Sequence, residues 1–128
     1  MIRAYEGGCH CGRVRFRVTT EQRAIFECNC SIWTKKGYLH LIVDAGEFEL
    51  LQGQEALTTY QFHTKTARHL FCCTCGICSF YVPRSRPTGY SVNARCIDPE
   101  CLDGPLREHF ELRTFDGRNH PGVVPPTD

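Results

Sequence analysis

The cysteines of this chain lie mostly in close pairs, the spacing of metal-binding thiols. Ten cysteines occur among 128 residues. Two of the pairs, Cys9-His10-Cys11-Gly12 and Cys72-Cys73-Thr74-Cys75-Gly76, each end in a glycine, which permits a tight turn that brings backbone N–H groups toward sulfur. Structural zinc prefers four tetrahedral ligands, and two such pairs supply four thiolates. The sequence therefore predicts one closed zinc site formed by Cys9, Cys11, Cys72 and Cys75.

This four-cysteine site would tie the start of the chain to a hairpin much later in the sequence. Zinc binding in small peptides supplies about 10–16 kcal/mol, more than the net stability of a small domain, so we expect the metal to be needed for folding. Two alternatives stay open. The thiols are buried reduced cysteines without a metal, or the pair Cys75-Gly76-Ile77-Cys78 provides the ligands. We prefer Cys72 with Cys75 because Cys78 begins an apparent strand.

A third pair, Cys28-Asn29-Cys30, has no second close pair to complete a site. A metal held by two or three thiolates keeps an open position, which is typical of a reactive site. Such a zinc polarises a carbonyl or deprotonates an incoming thiol, so Cys28 and Cys30 are candidate catalytic residues. The alternative is two free thiols at a strand end. A further interpretation, a thiol redox protein with an exposed low-pKa thiol, uses the surplus cysteines Cys73, Cys78, Cys96 and Cys101.

The composition favours an ordinary soluble domain. Lys and Arg number 15 against 14 Asp and Glu, and the resulting net charge of +1 gives no support for nucleic-acid binding. No apolar run approaches the roughly 20 residues that span a bilayer, so no membrane partner is expected. The first residues show no signal-peptide pattern, and closely spaced thiols fit a reducing compartment. We therefore expect a cytoplasmic protein.

Short strands must position these thiols. Residues 13–19 alternate polar and apolar, so Val14, Phe16 and Val18 are predicted to face a core and the intervening arginines to face water. Residues 31–36 would form one helical turn with Ser31 as N-cap and Gly37 as terminator. A second short helix is expected within residues 98–106. The other strand predictions are residues 24–28, 38–43, 48–51, 57–63, 68–72, 78–82, 89–93 and 107–112.

These elements predict an all-β, mainly antiparallel protein. The length favours one domain, which we place at residues 1–118, and residues 119–128 have the composition of an irregular tail.

The cysteine pairs stand within a longer pattern that resembles the glutathione-dependent formaldehyde-activating enzymes and the related centromere protein V family. The matching segments are GGCHCGRVRF at 7–16, FECNCS at 26–31, LQG at 51–53, TYQF at 59–62, FCCTCG at 71–76 and SFYVPR at 79–84. The resemblance implies a β-tent fold of small sheets stapled by zinc at Cys9, Cys11, Cys72 and Cys75. It also implies a catalytic zinc at a Cys-x-Cys-x-x-Cys segment, which here reads Cys28-Asn29-Cys30-Ser31-Ile32-Trp33.

Trp33 stands where the family has its third catalytic ligand, and an indole nitrogen is only a hydrogen-bond donor. The resemblance implies a zinc-dependent carbon–sulfur lyase, similar to S-(hydroxymethyl)glutathione synthase, that adds a thiol such as glutathione to a small aldehyde such as formaldehyde, with a degenerate catalytic site. The alternative is a non-catalytic, zinc-stapled binding module. We expect one zinc per chain, and Trp33 either plugs the core or fills the metal pocket. The residues that would replace the missing ligand after folding are Cys96, Cys101, His40 or His63.

Two arginines are candidates for binding the substrate. Arg84 and Arg86 flank Ser85, and the planar guanidinium fork suits bidentate binding of a carboxylate. The alternative is an exposed arginine-rich loop without a ligand.

Overall fold

The computed structural model describes residues 1–62, 67–83 and 88–116. Within them the chain forms ten strands and two short helices. The strands are β1 Arg3–Gly8, β2 Arg15–Thr20, β3 Ala24–Cys28, β4 Leu39–Asp44, β5 Phe48–Gln52, β6 Leu57–Tyr60, β7 Arg68–Cys72, β8 Phe80–Val82, β9 Gly89–Asn93 and β10 Glu111–Phe115. The helices are α1 Ser31–Lys36 and α2 Leu106–His109, and single 3-10 turns occupy Ala45–Glu47, Gln54–Ala56, Ala94–Cys96 and Pro99–Cys101.

The strands form two sheets. The smaller sheet has the order β1-β2-β5, and the larger has the order β10-β3-β4-β9-β8-β7-β6. Every strand pair is antiparallel except β10 with β3, which run parallel. The predicted fold class, all-β and mainly antiparallel, is confirmed.

The alternating pattern of β2 positions the smaller sheet over the core. Val14, Phe16 and Val18 are completely buried, as predicted. On the opposite face Arg17 pairs with Glu6 of β1 at 3.0 Å. The strand begins at Arg15 rather than at residue 13, because Val14 accepts a backbone hydrogen bond from Cys9 and so closes the preceding turn. The alternation of polar and apolar residues thus determines which face of β2 is buried, and the turn that contains Cys9 determines where the strand begins.

A single apolar cluster is shared by the two sheets. It combines residues of the smaller sheet with residues of the larger one, among them Tyr5, Phe16, Leu41, Phe80 and Val92. Because each sheet is apolar on the face toward the other, burying these faces together excludes water from both.

The N-terminal strand β1 was not predicted, because Gly7 and Gly8 interrupt its pattern. Gly7 is needed for close packing: a Cβ at this position would lie 2.1 Å from the carbonyl oxygen of Cys96. An isolated bridge between Gly7 and Ile97 joins β1 to the segment after β9. The close approach therefore holds residues 94–97 against the smaller sheet.

Several predicted boundaries were wrong. Cys30, not Ser31, is the N-cap of α1, whereas Gly37 ends the helix with a φ of 64° as predicted. Residues 107–112 were predicted as one strand, but α2 occupies Leu106–His109 and β10 follows it. Strand β6 ends at Tyr60, and β8 begins at Phe80, so Cys78 precedes the strand.

Two hydrogen bonds made by His109 hold α2 in place before β10. The backbone N–H of Asp103 donates to His109 Nδ1 at 3.0 Å, which leaves the proton on Nε2. That nitrogen lies 2.8 Å from the hydroxyl of buried Tyr5. The pair links β1 to a helix of four residues, and so tertiary contacts outweigh the strand propensity of this segment.

The predicted tail, residues 119–128, lies outside the described residues. Within the described part of the chain, no helix is both long and apolar enough to cross a lipid bilayer.

Candidate functional site

Four cysteine sulfurs converge where the two sheets meet. Cys9 and Cys11 lie in the turn between β1 and β2, and Cys72 and Cys75 lie at the end of β7 and in the turn that follows it. All four sulfurs lie within 4.8 Å of one another. Cys11 is 3.6 Å from both Cys9 and Cys72. The sequence prediction that these four side chains meet thus matches the geometry.

The sulfur separations suit a metal rather than a disulfide. Tetrahedral zinc–sulfur bonds of about 2.3 Å separate the sulfurs by about 3.8 Å. A disulfide would bring two sulfurs to about 2.05 Å. The observed 3.6 Å therefore fits four thiolates around one ion, and Cys9, Cys11, Cys72 and Cys75 are the residues that would hold it.

Two glycine turns aim backbone N–H groups at these sulfurs. Gly12 and Gly76 have φ angles of 85° and 79°, a region that side-chain-bearing residues rarely enter. The N–H of Val14 donates to Cys9 Sγ at 3.3 Å. The N–H of Thr74 donates to Cys72 Sγ at 3.4 Å. Such donors favour the thiolate form over the thiol form, and the thiolate is the form that binds metal.

The thiols of this cluster differ in pKa. The backbone N–H of Cys75, together with that of Thr74, lowers the pKa of Cys72 to about 6. The pKa of Cys11 is raised to about 11: the backbone of Arg13 opposes this increase, but burial and the neighbouring thiols outweigh it. Adjacent thiolates repel one another, so without a cation the cluster keeps part of its protons. A divalent metal would remove that repulsion and displace those protons.

Two further cysteines near this cluster are not part of it. Cys73 is exposed, and the guanidinium of Arg13 lies 4.0 Å from its sulfur. Cys78 is buried, and its thiol donates to the carbonyl oxygen of Phe80 at 3.6 Å. Burial raises the pKa of Cys78 to about 11, so this thiol stays protonated. Among the residues that the structure describes, Cys78 is therefore not a member of the cluster that contains Cys75.

The second pair, Cys28 and Cys30, lies at the junction of β3 and α1. Cys28 is half-buried at the end of β3, and Cys30 is only 1% exposed. Cys30 belongs to a second apolar cluster with Trp33, Tyr38, Cys78 and Tyr81. The first thiol therefore faces a more open environment than the second.

Trp33 is an interior residue, 3% exposed. Its ring lies 4.3 Å from that of Tyr81 and 4.5 Å from that of Tyr38, and it meets His40 edge-on at 4.9 Å. These contacts bury the indole beside Cys30. The residue that replaces the expected ligand thus completes an aromatic core.

No replacement ligand joins this second pair within the described residues, where Cys9, Cys11, Cys72 and Cys75 form the one close group of metal-binding side chains. His40 directs Nδ1 to Ser91 at 2.9 Å, and burial lowers its pKa to about 3. Cys96 lies near the carbonyl of Cys78, and Cys101 accepts the N–H of Glu6. The remaining candidate, His63, lies outside the described residues.

A cavity of about 510 Å³ opens beside Cys28. Residues of α1, the residue Tyr38 and the end of β10 all line it. The lining residues are Glu27, Cys28, Asn29, Trp33, Thr34, Gly37, Tyr38, Arg95, Thr114, Phe115 and Asp116. The cavity therefore joins one of the candidate catalytic thiols to a set of polar side chains.

Arg95 in this wall was not identified from the sequence. It follows β9 by two residues, and only the pairing of β3, β4 and β9 brings it near Cys28. The arginines that were predicted to bind a carboxylate, Arg84 and Arg86, lie outside the described residues.

Comparison with known proteins gives a consistent family. The chain matches the family described as glutathione-dependent formaldehyde-activating enzyme over residues 4–113. It is 30% identical over 116 residues to a Halomonas elongata protein named for the same activity. The aligned region covers 84% of this chain and 74% of that protein. The crystal structure of a Rhodobacter sphaeroides protein is similar, with a TM-score of 0.74 and 32% identity, covering 86% of this chain and 99% of the other.

Proposed function

Because the chain belongs to the glutathione-dependent formaldehyde-activating enzyme family, we propose that it joins the thiol of glutathione, or a similar small thiol, to formaldehyde. This is the reaction of a carbon–sulfur lyase in the direction that forms the adduct. A sulfur–carbon bond forms, the carbonyl π bond breaks, and the thiol proton ends on the carbonyl oxygen. The product is a hemithioacetal that bears an S-hydroxymethyl group, and no oxidant or reductant is needed.

The observation that carries this proposal is the cavity with the Cys28 thiol in its wall. Its volume of about 510 Å³ falls in the range of small-molecule sites, which is about 300–1,000 Å³. A site of this size is large enough for a peptide thiol and an aldehyde together. Holding two reactants in a productive arrangement lowers the barrier to a bimolecular step. The role assigned to the chain is therefore to bind both reactants and hold them together.

Zinc is the metal we propose for the four-cysteine cluster. Four thiolates leave zinc no open position, so its role there is structural. At the second pair, Cys28 and Cys30 offer two thiolates and Trp33 offers none, so the residues present do not fit a three-cysteine catalytic zinc. We assign no step of the reaction to a metal at this pair. Cys28 and Cys30 remain proposed reaction-site residues.

Exchange NMR on the zinc-loaded protein tests the proposed reaction. The exchange rate between free glutathione and its formaldehyde adduct is measured with and without protein. We expect acceleration with the wild type, a loss of most of it in Cys28→Ser, and no change in Cys73→Ser, which alters an exposed thiol outside the cavity. Wild-type protein that leaves the buffer rate unchanged would refute the enzymatic proposal.

The second candidate function is a non-catalytic, zinc-stapled binding module. The specific observation that favours it is the buried Trp33 in place of a ligand. This module would bind a small thiol without accelerating adduct formation. The Trp33→Cys variant bears on both functions: we expect it to raise the zinc content from one to two per chain, measured by metal analysis. A content that stays at one would show that the second site lacks more than this ligand.

The same proposal covers the organisation of the chain. One β-tent domain over residues 1–118 is supported by the core that both sheets share. A reducing compartment such as the cytoplasm is supported by the need for four reduced thiols in the cluster.

A further inference from the structure

The cavity beside Cys28 contains one cationic side chain, that of Arg95, among its described lining residues. Most arginines of the described chain are engaged: Arg15 pairs with Asp98, and Arg17 pairs with Glu6. The guanidinium of Arg95 has no ion pair or hydrogen bond within the described part of the chain, although its backbone is held firmly. Its positive charge is therefore available to a ligand in the cavity.

The fold fixes the base of this side chain. The backbone N–H of Arg95 donates to the side-chain oxygen of Asn93 at 3.1 Å. Asn93 is buried, and its amide nitrogen in turn donates to the carbonyl of Cys78 at 3.2 Å. The close approach at Gly7 holds the following residue, Cys96. These contacts fix the point from which the Arg95 side chain leaves the backbone beside the cavity.

The remaining charges of the cavity restrict which ligand fits. Glu27 and Asp116 also line it, and Asp116 accepts a hydrogen bond from Asn29 at 2.9 Å. The carboxylate of Glu27 has no ion pair or hydrogen bond to any described residue. A ligand with negative charges alone would be repelled by these acids. A ligand with both a carboxylate and an ammonium group complements the cavity.

We propose that Arg95 binds a carboxylate of the thiol substrate and makes the site selective for carboxylate-bearing amino-acid thiols over neutral ones. This inference rests on the proposed function, because it assumes that the substrate sulfur lies at Cys28. A guanidinium forms two parallel hydrogen bonds with a carboxylate, which fixes both the position and the orientation of the ligand. Glutathione has the required groups: two carboxylates and one ammonium.

Binding of a thiol-blocked probe tests the role of Arg95 without turnover. S-methylglutathione keeps both carboxylates but has no thiol to react, and its diethyl ester removes both negative charges. Trp33 is the only tryptophan of the chain and lines the cavity, so its fluorescence reports the titration. Calorimetry on the same solutions gives an independent affinity.

We expect the wild type to bind the free acid at least about tenfold more tightly than the ester, as one charge-assisted pair implies. Arg95→Ala should weaken binding of the acid by about 10- to 100-fold and leave binding of the ester unchanged. Arg95→Lys should restore part of the loss. Arg107→Ala is the matched control, because Arg107 is exposed, has no ion pair with any described residue and lies outside the cavity lining.

The inference would be overturned if the wild type and Arg95→Ala bound S-methylglutathione equally well. It would also be overturned if the wild type bound the acid and the diethyl ester equally well, or bound neither at millimolar concentration. Unchanged thermal melting of Arg95→Ala excludes misfolding as the cause of a loss. Dependence on Arg95 without acceleration in the exchange experiment would uphold this inference and refute the enzymatic proposal. Acceleration of the exchange together with binding that does not depend on Arg95 would uphold the enzymatic proposal and refute this inference.

Discussion

Removal of one thiolate from the four-cysteine cluster should cost the protein much of its stability. Cys11 is the best position for this test because it is exposed, so that serine there creates no cavity in the core. Cys73 is the matched control: it is also exposed and lies two residues from Cys75, but outside the cluster. A difference between Cys11→Ser and Cys73→Ser therefore reports the metal rather than the loss of a thiol.

The magnitude follows from the length of chain that the cluster closes. Cys11 and Cys72 are 61 residues apart. A cross-link that closes a loop of this length lowers the entropy of the unfolded chain and so raises its free energy by about 4 kcal/mol at 25 °C. Zinc binding itself supplies about 10–16 kcal/mol in small peptides. We therefore expect Cys11→Ser to lower the free energy of unfolding by at least about 4 kcal/mol, with a fall in Tm of about 12–20 °C.

Urea titration, thermal melting and metal analysis of the two variants give the answer together. Cys73→Ser should keep one zinc per chain and change stability by less than about 0.5 kcal/mol. Removal of zinc from the wild type with a chelator should reproduce the loss seen in Cys11→Ser. The reasoning is refuted if Cys11→Ser keeps both its metal and its melting temperature, because Cys11 would then not be one of the residues that hold the metal.

Two further predictions concern the histidine core and the packing at β1. The pKa of His40 is lowered by burial to about 3, so the unfolded chain takes up a proton below about pH 6.5 that the folded chain refuses. Stability is therefore greatest above that pH and should fall on acidification toward pH 3. His40→Asn should reduce the average slope, measured by urea titration between pH 5 and 7.5, by about 0.8 kcal/mol per pH unit, or about 2 kcal/mol over the whole range. An identical slope in wild type and variant would contradict this. Gly7→Ala should cost about 1–3 kcal/mol, because its Cβ would meet the carbonyl of Cys96 at 2.1 Å, whereas Gly46→Ala, with no atom within 4 Å of its Cβ, should be nearly neutral. Equal melting temperatures for the two alanine variants would show that the segment after β9 moves aside easily.

The sequence was sufficient where the physical cause is local. The alternation of residues 13–19 identified the buried face of β2, since side chains of a strand point alternately to its two sides. Gly37 marked the end of α1 because its left-handed backbone suits glycine. The four-cysteine cluster also followed from local spacing: two thiols in one turn are two adjacent ligands, and only one other glycine-ended pair was available.

The tertiary structure decided what depends on contacts between distant residues. Tyr5 and His109 are 104 residues apart, and their hydrogen bond helps to make a helix of a segment with strand-like composition. Arg95 lines the same cavity as Cys28 only because β4 lies between β3 and β9 in the larger sheet. Burial of Trp33 likewise required its aromatic neighbours. Strand order and burial are properties of many contacts made at once, and residue spacing along the chain determines neither of them.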